Sequence, residues 1–294
     1  MANEKGNFRL PYYEKCGFRG EEKKSLEIIL KDKPLDKIKL QKFCVGFTVP
    51  AIYRNLVWKL LLEVIPVYTD SHEFVMEQRN LEYKELVRAL QTMRIIDACT
   101  PKTHVFYAAW LLQSGRYSYE WTQPQQDDQF IMLAHVFLQH FDNEVDIYWL
   151  TKYLYEYIIK YKNDYPKLID RLWSLLEKED KELFLHLQHT GLQKAIPIGK
   201  WFDSCFAGIL NENPLAKIWD KICGGSVKIL IFVTIALLTI QRHELLKCTT
   251  LQAFLDCLKN ISEETADLIA VKSIEMWQKH GSPKNVNANN NSNN

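Results

Sequence analysis

Hydrophobic residues recur along the chain with the spacing of an α-helix. Apolar side chains stand three and four positions apart in stripes such as Leu86, Leu90 and Met93, and this spacing places them on one helix face. Proline and glycine are sparse, with 10 and 11 copies in 294 residues, which disfavours a sandwich or barrel of many short strands. The pattern predicts an all-α protein of roughly twelve to fifteen helices.

The sequence predicts one irregular helical domain in two lobes, with dissimilar segments at its ends. Residues 1–20 are an N-terminal extension, 21–280 the domain, and 281–294 a tail of Asn, Ser and small residues that cannot bury a core and is expected to be disordered. No internal repeat of roughly 30 to 45 residues is visible, so a solenoid is disfavoured. Pro50 and Pro101 stand where helices are expected to begin.

One run, from Ile229 to Ile240, is apolar at nearly every position. It is shorter than the roughly 18 residues that cross a bilayer, and polar residues follow it directly at 241–243. We therefore expect a helix buried on all sides and no transmembrane segment. The segment from Met1 to Leu10 contains charges and lacks the apolar core of a secretory signal, which predicts a cytoplasmic protein.

Charge and reactive side chains point to no ligand chemistry. With 37 basic and 36 acidic residues the formal net charge is +1, so no global field attracts nucleic acid. The seven cysteines contain no Cys-x-x-Cys pair and are expected to be idle thiols in a reducing compartment. His186 and His189 lack a third metal ligand, and the acidic pair Asp127–Asp128 is expected to cap a helix. We predict no metal and no cofactor.

Two groups of motifs resemble the signature of TBC domains. In the first, from Val49 to Leu62, a proline-led turn is followed by an arginine, a tryptophan and a leucine run. In the second, from Leu185 to Leu238, residues 185–188 are followed by a Trp-Phe helix at Trp201, an Ile-Trp-Asp helix start and the buried apolar helix. The resemblance implies an all-helical TBC fold related to proteins that accelerate GTP hydrolysis by Rab GTPases. The family-signature residues are Arg54, Trp58, Asp97, Trp201, Trp219 and Asp220.

TBC domains of that kind supply two catalytic side chains to the nucleotide site. An arginine from an Ile-x-x-Asp-x-x-Arg motif offsets charge on the transferred phosphoryl group, and a glutamine from a Tyr-x-Gln motif orients the water. Here Asp97 matches the aspartate of the first motif, which places the uncharged Thr100 at the arginine position. The stretch from Gln123 to Gln129 has no tyrosine two residues before a glutamine. The resemblance therefore implies a TBC scaffold that is not an enzyme.

Within the family, the chain is similar to members without these side chains that serve as the small third subunit of the tuberous sclerosis complex. The resemblance implies binding to the C-terminal coiled coil of hamartin and, through it, to tuberin, in an assembly that acts on Rheb and restrains mTOR signalling. It also implies recruitment to lysosomes or vesicles. Two alternatives stay open: an active Rab GTPase activator in which Arg94 or Gln129 reaches the nucleotide, and an adaptor that binds a Rab without hydrolysis.

A coiled-coil partner requires an exposed apolar helix face. The predicted helix from Lys102 to Gln113 carries two apolar rows, which is more than one core-facing stripe requires. We expect one row to face outwards and bind the partner; the alternative is that both rows are buried. The residues expected to bind the partner are Val105, Phe106, Ala109 and Trp110.

Overall fold

The computed structural model describes residues 20–117, 128–259 and 261–280. Within these ranges the fold is all-α, as predicted: sixteen α-helices and two short 3₁₀ turns occur, with no strand beyond one isolated bridge between Ala207 and Leu210. In chain order the helices are α1 (Gly20–Ile29), α2 (Lys37–Gly46), α3 (Ala51–Leu61), α4 (His72–Thr92), α5 (Lys102–Gln113), α6 (Gln129–His140), α7 (Glu144–Ile159), α8 (Tyr165–Glu179), α9 (Lys181–His189), α10 (Leu192–Ala195), α11 (Ile198–Asp203), α12 (Glu212–Cys223), α13 (Ile229–Ile240), α14 (Arg242–Leu245), α15 (Leu251–Leu258) and α16 (Glu263–His280).

The described chain divides into two compact units, in agreement with the predicted two lobes. The first unit contains the described residues up to Tyr165 together with Pro197–Ser226, and the second contains Pro166–Ile196 and the described residues from Val227 onwards. The predicted N-terminal extension lies outside the described residues except for Gly20, which begins α1, and the predicted tail at 281–294 also lies outside them. The proposed domain boundaries remain predictions.

Helix starts follow the capping chemistry of the sequence. Pro50 and Pro101 occupy the residues directly before α3 and α5, as expected, because a proline has no backbone N–H that the first turn would leave unbonded. Asp128 caps α6 by accepting a hydrogen bond from the Phe130 amide at 2.9 Å. The capping interpretation is confirmed for Asp128, whereas Asp127 lies outside the described residues.

The core of the first unit is aromatic where α3, α6 and α12 meet. The Trp58 ring packs edge-on against Phe137 with ring centroids 5.9 Å apart, and Phe137 lies 5.0 Å from Trp219. All three side chains are fully buried. Because large aromatic rings bury much apolar surface in well-defined rotamers, this cluster fixes the relative positions of the three helices.

In the second unit, the apolar run forms α13 over Ile229–Ile240, and all residues from 229 to 238 are buried. The helix packs against α16, where the rings of Phe232 and Trp277 are 6.0 Å apart. The expectation of a helix buried on all sides is confirmed. Among the described residues, no helix has both the length and the hydropathy required to cross a membrane.

Candidate functional site

The carboxylate of Asp220 in α12 is fully buried and accepts four hydrogen bonds. Arg54 donates from Nε at 3.1 Å and from Nη2 at 3.2 Å, one to each oxygen. The Trp58 indole N–H donates at 2.9 Å and the Val49 amide at 2.9 Å. This arrangement satisfies the buried charge with charge-assisted bonds and connects the turn before α3, α3 itself and α12.

The signature tryptophans of the later motif stabilise a strained turn. After α11, Cys205 and Phe206 have positive φ angles of 48° and 64°, which residues other than glycine rarely adopt. Trp219 donates its indole N–H to the Cys205 carbonyl at 3.1 Å, and the ring of Trp201 lies 6.0 Å from that of Phe206. Both tryptophans are buried, so these two signature residues act on packing and backbone conformation.

The turn before α5 is built by Asp97 and Thr100, the pair that the sequence predicts to match the family's arginine motif. Asp97 Oδ1 accepts the Thr100 hydroxyl and the Cys99 amide, each at 2.9 Å, and Thr100 Oγ1 accepts the Asp97 amide at 2.9 Å. The Thr100 hydroxyl and then the Cys99 amide lower the pKa of Asp97, because both bonds favour the carboxylate. The turn is therefore closed by its own side chains.

A cavity of about 450 Å³ in the first unit lies beside this turn. Charged side chains of both signs line it, which suits polar contacts better than an apolar ligand. One of its cations is paired, since Lys102 Nζ donates to Glu144 Oε1. The charged or hydroxyl-bearing lining residues are Tyr83, Lys84, Arg88, Asp97, Thr100, Lys102 and Glu144.

The two residues offered as relocated catalytic groups occupy helix ends. Arg94 follows α4 with a φ of 59°, is exposed, and is not among the residues that line the cavity. The Ile95 amide bonds back to the Leu90 carbonyl at 2.9 Å, so Arg94 occupies the left-handed position that ends the helix. Gln129 is the first residue of α6. Residues 118–127, which contain most of the expected glutamine region, lie outside the described chain.

The structure overturns the prediction of an outward-facing row on α5. Val105, Phe106, Ala109 and Trp110 are all buried, with none more than 8% exposed. Trp110 stacks on Phe130 with centroids 5.3 Å apart, because α6 and α7 cover this helix on the side where the apolar row was expected to be free. The alternative, that both rows belong to the core, is correct for these residues.

An exposed apolar row occurs instead on α4. Of its 21 residues only Tyr83 and Leu90 are buried. Phe74 is 64% exposed and Leu81 is 51% exposed, and because they are seven positions apart they lie on the same helix face two turns apart. The seven-residue spacing was readable from the sequence. The exposure was not, because spacing does not show which side of a helix is covered: of the stripe Leu86, Leu90 and Met93, only Leu90 is buried, and Met93 is 48% exposed.

The two histidines considered as metal ligands, both in the second unit, have different surroundings. His186 bonds through Nε2 to the Cys248 carbonyl at 2.8 Å, and His189 is exposed at the end of α9. In the part of the chain that the structure describes, no three His, Cys, Asp or Glu side chains converge in a geometry that could hold a metal ion.

Comparison with known proteins identifies the class that this fold and these motifs define. Residues 128–246 match the family model of the Rab-GTPase-TBC domain. The chain is 37% identical to the human protein named TBC1 domain family member 7 over 282 residues, which cover 94% of this chain and 96% of that one. The chain belongs to the TBC domain family. It is also 38% identical to the Xenopus tropicalis protein of the same name over 278 residues, 93% of this chain and 95% of that one.

Solved structures agree at the level of the fold. The Ypt/Rab-GAP domain of Gyp1p superposes with a TM-score of 0.64 at 17% identity and covers 88% of this chain and 98% of that domain. A Chlamydomonas flagellar RabGAP TBC domain gives a TM-score of 0.62 at 16% identity, with 93% and 96% covered. At these identities the likeness establishes the helical TBC architecture.

Proposed function

We propose that the protein is a non-catalytic TBC-domain subunit that binds the C-terminal coiled coil of hamartin and stabilises the hamartin–tuberin assembly. In that assembly it would act next to the activity toward Rheb without contributing a catalytic side chain, and it would reach lysosomes or vesicles through the complex. The proposal extends the resemblance carried by the motifs and by relatives that match nearly the whole chain. The observation that supports it best is the exposed apolar row on α4.

The geometry of the turn before α5 supports the absence of catalysis. A catalytic arginine works by placing a cation against charge that develops on the phosphoryl group. Thr100 has no charge, and its hydroxyl is bonded to Asp97, the motif's own aspartate. Arg94, the nearest arginine in the sequence, lies at a helix end outside the lining of the adjacent cavity. A GTPase docked at this turn would meet no arginine at the family position.

The exposed face of α4 fits a helical partner. Phe74 and Leu81 repeat at the seven-residue spacing that two packed helices share in a coiled coil, so a partner helix could place its apolar positions against both. Polar residues surround the pair, with Glu73, Glu77 and Glu85 exposed on the same helix. A central apolar contact with a charged rim is the usual composition of a protein–protein interface.

Binding of a hamartin C-terminal coiled-coil fragment to the full chain tests the docking face. We expect the double change Phe74→Glu and Leu81→Glu to weaken binding on the order of tenfold or more, because buried apolar anchors carry most interface energy. Leu268→Glu is the matched control, since Leu268 is 55% exposed on α16 in the second unit. Equal binding by all three proteins would remove α4 from the interface, and no binding by the unaltered chain would remove the hamartin assignment.

Single-turnover GTP hydrolysis by a panel of Rab proteins, with this chain in excess, separates the proposal from the enzymatic alternative. We expect no acceleration over the GTPase alone. Acceleration that Arg94→Ala abolishes would establish a relocated arginine and contradict the proposal. Rab binding without acceleration would favour the adaptor alternative, and failure of both hamartin and Rab binding would leave only the family assignment standing.

A further inference from the structure

Two thiols of the second unit lie in direct contact. Cys248 follows α14, and Cys257 lies in the last turn of α15, nine residues later. Their Sγ atoms are 3.5 Å apart. A disulfide requires sulfurs about 2.0 Å apart, so closure needs the two Sγ atoms to approach by roughly 1.5 Å.

The two thiols differ in their access to solvent. Cys248 is 5% exposed, and its thiol donates to the Glu244 carbonyl at 3.4 Å. Burial raises the pKa of Cys248 to about 11, and the contact with Cys257 adds to that shift, so Cys248 stays protonated near neutral pH. Cys257 is half-buried and therefore open to small solutes. An oxidant in solution reaches Cys257 first.

The loop that carries Cys248 and the helix that carries Cys257 are held in place to different extents. The Cys248 carbonyl bonds to His186 Nε2 on α9 at 2.8 Å, which anchors the loop between α14 and α15. At the other end, two side chains of α15 are buried, Phe254 and Leu258, and the others are half-buried or exposed. A covalent link from the anchored loop to the last turn of α15 would restrain this helix further.

We propose that Cys248 and Cys257 form a reversible intramolecular disulfide when the protein meets a hydroperoxide. The Cys257 thiolate attacks a peroxide oxygen, the O–O bond breaks, and the departing hydroxide takes a proton from solvent to leave as water. The sulfur of Cys248 then attacks the Cys257 sulfenic acid: the S–S bond forms, the S–O bond breaks, and the hydroxyl leaves with the Cys248 proton as a second water. The two thiols lose two electrons, and the peroxide gains them.

The reverse step is thiol–disulfide exchange. A small thiol reductant attacks one sulfur, and a second molecule of reductant releases the mixed disulfide and restores both cysteines. Disulfides that form in reducing compartments are usually transient and redox-sensing, which fits a pair that is reduced at rest. The oxidised form closes a short loop that contains most of α15 and restricts the unfolded chain.

The full chain treated with hydrogen peroxide provides the test. Remaining thiols are alkylated, the protein is digested without reduction, and mass spectrometry identifies cross-linked peptides. We expect a peptide joining Cys248 and Cys257 that has lost two hydrogens, reversal by dithiothreitol, and slower amide exchange across α15 in the oxidised protein. Exposed Cys99 is the internal control, because it reports general oxidation at a single accessible thiol.

Two variants complete the test. Cys257→Ser is expected to abolish the cross-link and leave Cys248 reduced, whereas Cys99→Ser is expected to leave the cross-link unchanged. Circular dichroism verifies that each variant is folded, and Cys257→Ala replaces the serine if it is not. The proposal is overturned if Cys257 proceeds to sulfinic acid without a cross-link in the native protein, or if the cross-link forms only after urea is added.

Discussion

The Thr100 hydroxyl donates to the Asp97 carboxylate at 2.9 Å, in the turn before α5. The two residues exchange bonds in both directions, since the Asp97 amide also donates to Thr100 Oγ1 at 2.9 Å. Asp97 thus organises the turn before α5. The Thr100 side chain is bonded within the same turn.

This relationship predicts the behaviour of Thr100→Val. The change keeps the branched shape of the side chain and removes the hydroxyl, which makes the largest contribution to lowering the pKa of Asp97. We expect the pKa of Asp97 to rise toward its ordinary value, as measured by NMR titration of the carboxylate. An unchanged pKa would mean that the Cys99 amide alone maintains the shift.

The same shift has a consequence for stability. A carboxyl group with a lowered pKa in the folded protein stabilises the fold above its unfolded pKa, and that contribution is lost as the pH falls through the folded pKa. In Thr100→Val the free energy of unfolding is therefore expected to fall less steeply with decreasing pH, because the contribution of Asp97 is smaller. Denaturant unfolding of both proteins across the acidic range measures the difference.

Breaking the buried ion pair at Asp220 is expected to destabilise the first unit strongly. Asp220→Ala removes the acceptor of four hydrogen bonds and leaves the Arg54 guanidinium, only 10% exposed, without its counter-ion. Loss of one partner of a buried pair costs roughly 3 to 5 kcal/mol. Urea unfolding monitored by tryptophan fluorescence measures the change, because Trp58 reports on this cluster.

Asp256→Ala is the matched control for that measurement. Asp256 pairs with Lys259 at 2.6 Å, but both side chains are at least half exposed. Exposed pairs contribute little, because water solvates each charge nearly as well as its partner does. A loss of stability as large as that of Asp220→Ala would contradict the assignment of the effect to burial.

Replacing a buried and an exposed phenylalanine on neighbouring helices is expected to change the stability of the fold by very different amounts. Phe106→Ala empties a site with no solvent exposure and should cost about 3 to 5 kcal/mol. Phe74→Ala removes an exposed ring and should change stability by less than about 0.5 kcal/mol. Thermal unfolding distinguishes the two. If Phe74→Ala lowered the midpoint as much as Phe106→Ala, α4 would have a packing role that its exposure does not indicate.

A pH effect is expected from His140. Burial lowers the pKa of His140, and the nearby Arg54 adds to the effect, while a bond to the Glu212 carbonyl at 3.1 Å opposes it. The folded protein therefore favours neutral His140. Stability is retained above the unfolded pKa, which is near 6.5, and is lost as the pH falls through the folded pKa.

Comparison with His140→Gln isolates this contribution from that of the other histidines. Glutamine keeps a side chain that can donate to the Glu212 carbonyl and does not titrate. The free energy of unfolding of the unaltered protein should fall more steeply than that of the variant between pH 7.5 and 5.5, a window set around that unfolded pKa. Parallel profiles would show that protonation of His140 is tolerated in the folded state.

Much of the fold followed from the chain alone. Helical spacing predicted the all-α class, Pro50 and Pro101 predicted two helix starts, and the apolar run at Ile229–Ile240 predicted a buried helix. These features depend on local geometry: an apolar stripe selects a helix face, and a proline selects a first turn wherever the rest of the chain lies. The TBC signature was recognisable for the same reason, since its residues recur at fixed spacings.

Which apolar rows were covered could be decided only by the tertiary structure. Phe106 and Trp110 form an apolar row on α5, but α6 and α7 pack over it. Phe74 and Leu81 remain exposed on α4. The four bonds to Asp220 likewise depend on how helices distant in sequence pack together, and the contact between Cys248 and Cys257 depends on how the loop after α14 folds against α15. The sequence by itself determined the helices and the family, because both depend on short-range spacing. Which side chains are buried, and which of them contact or bond each other, was decided by the packing of the helices. Short-range spacing does not show which helices pack together.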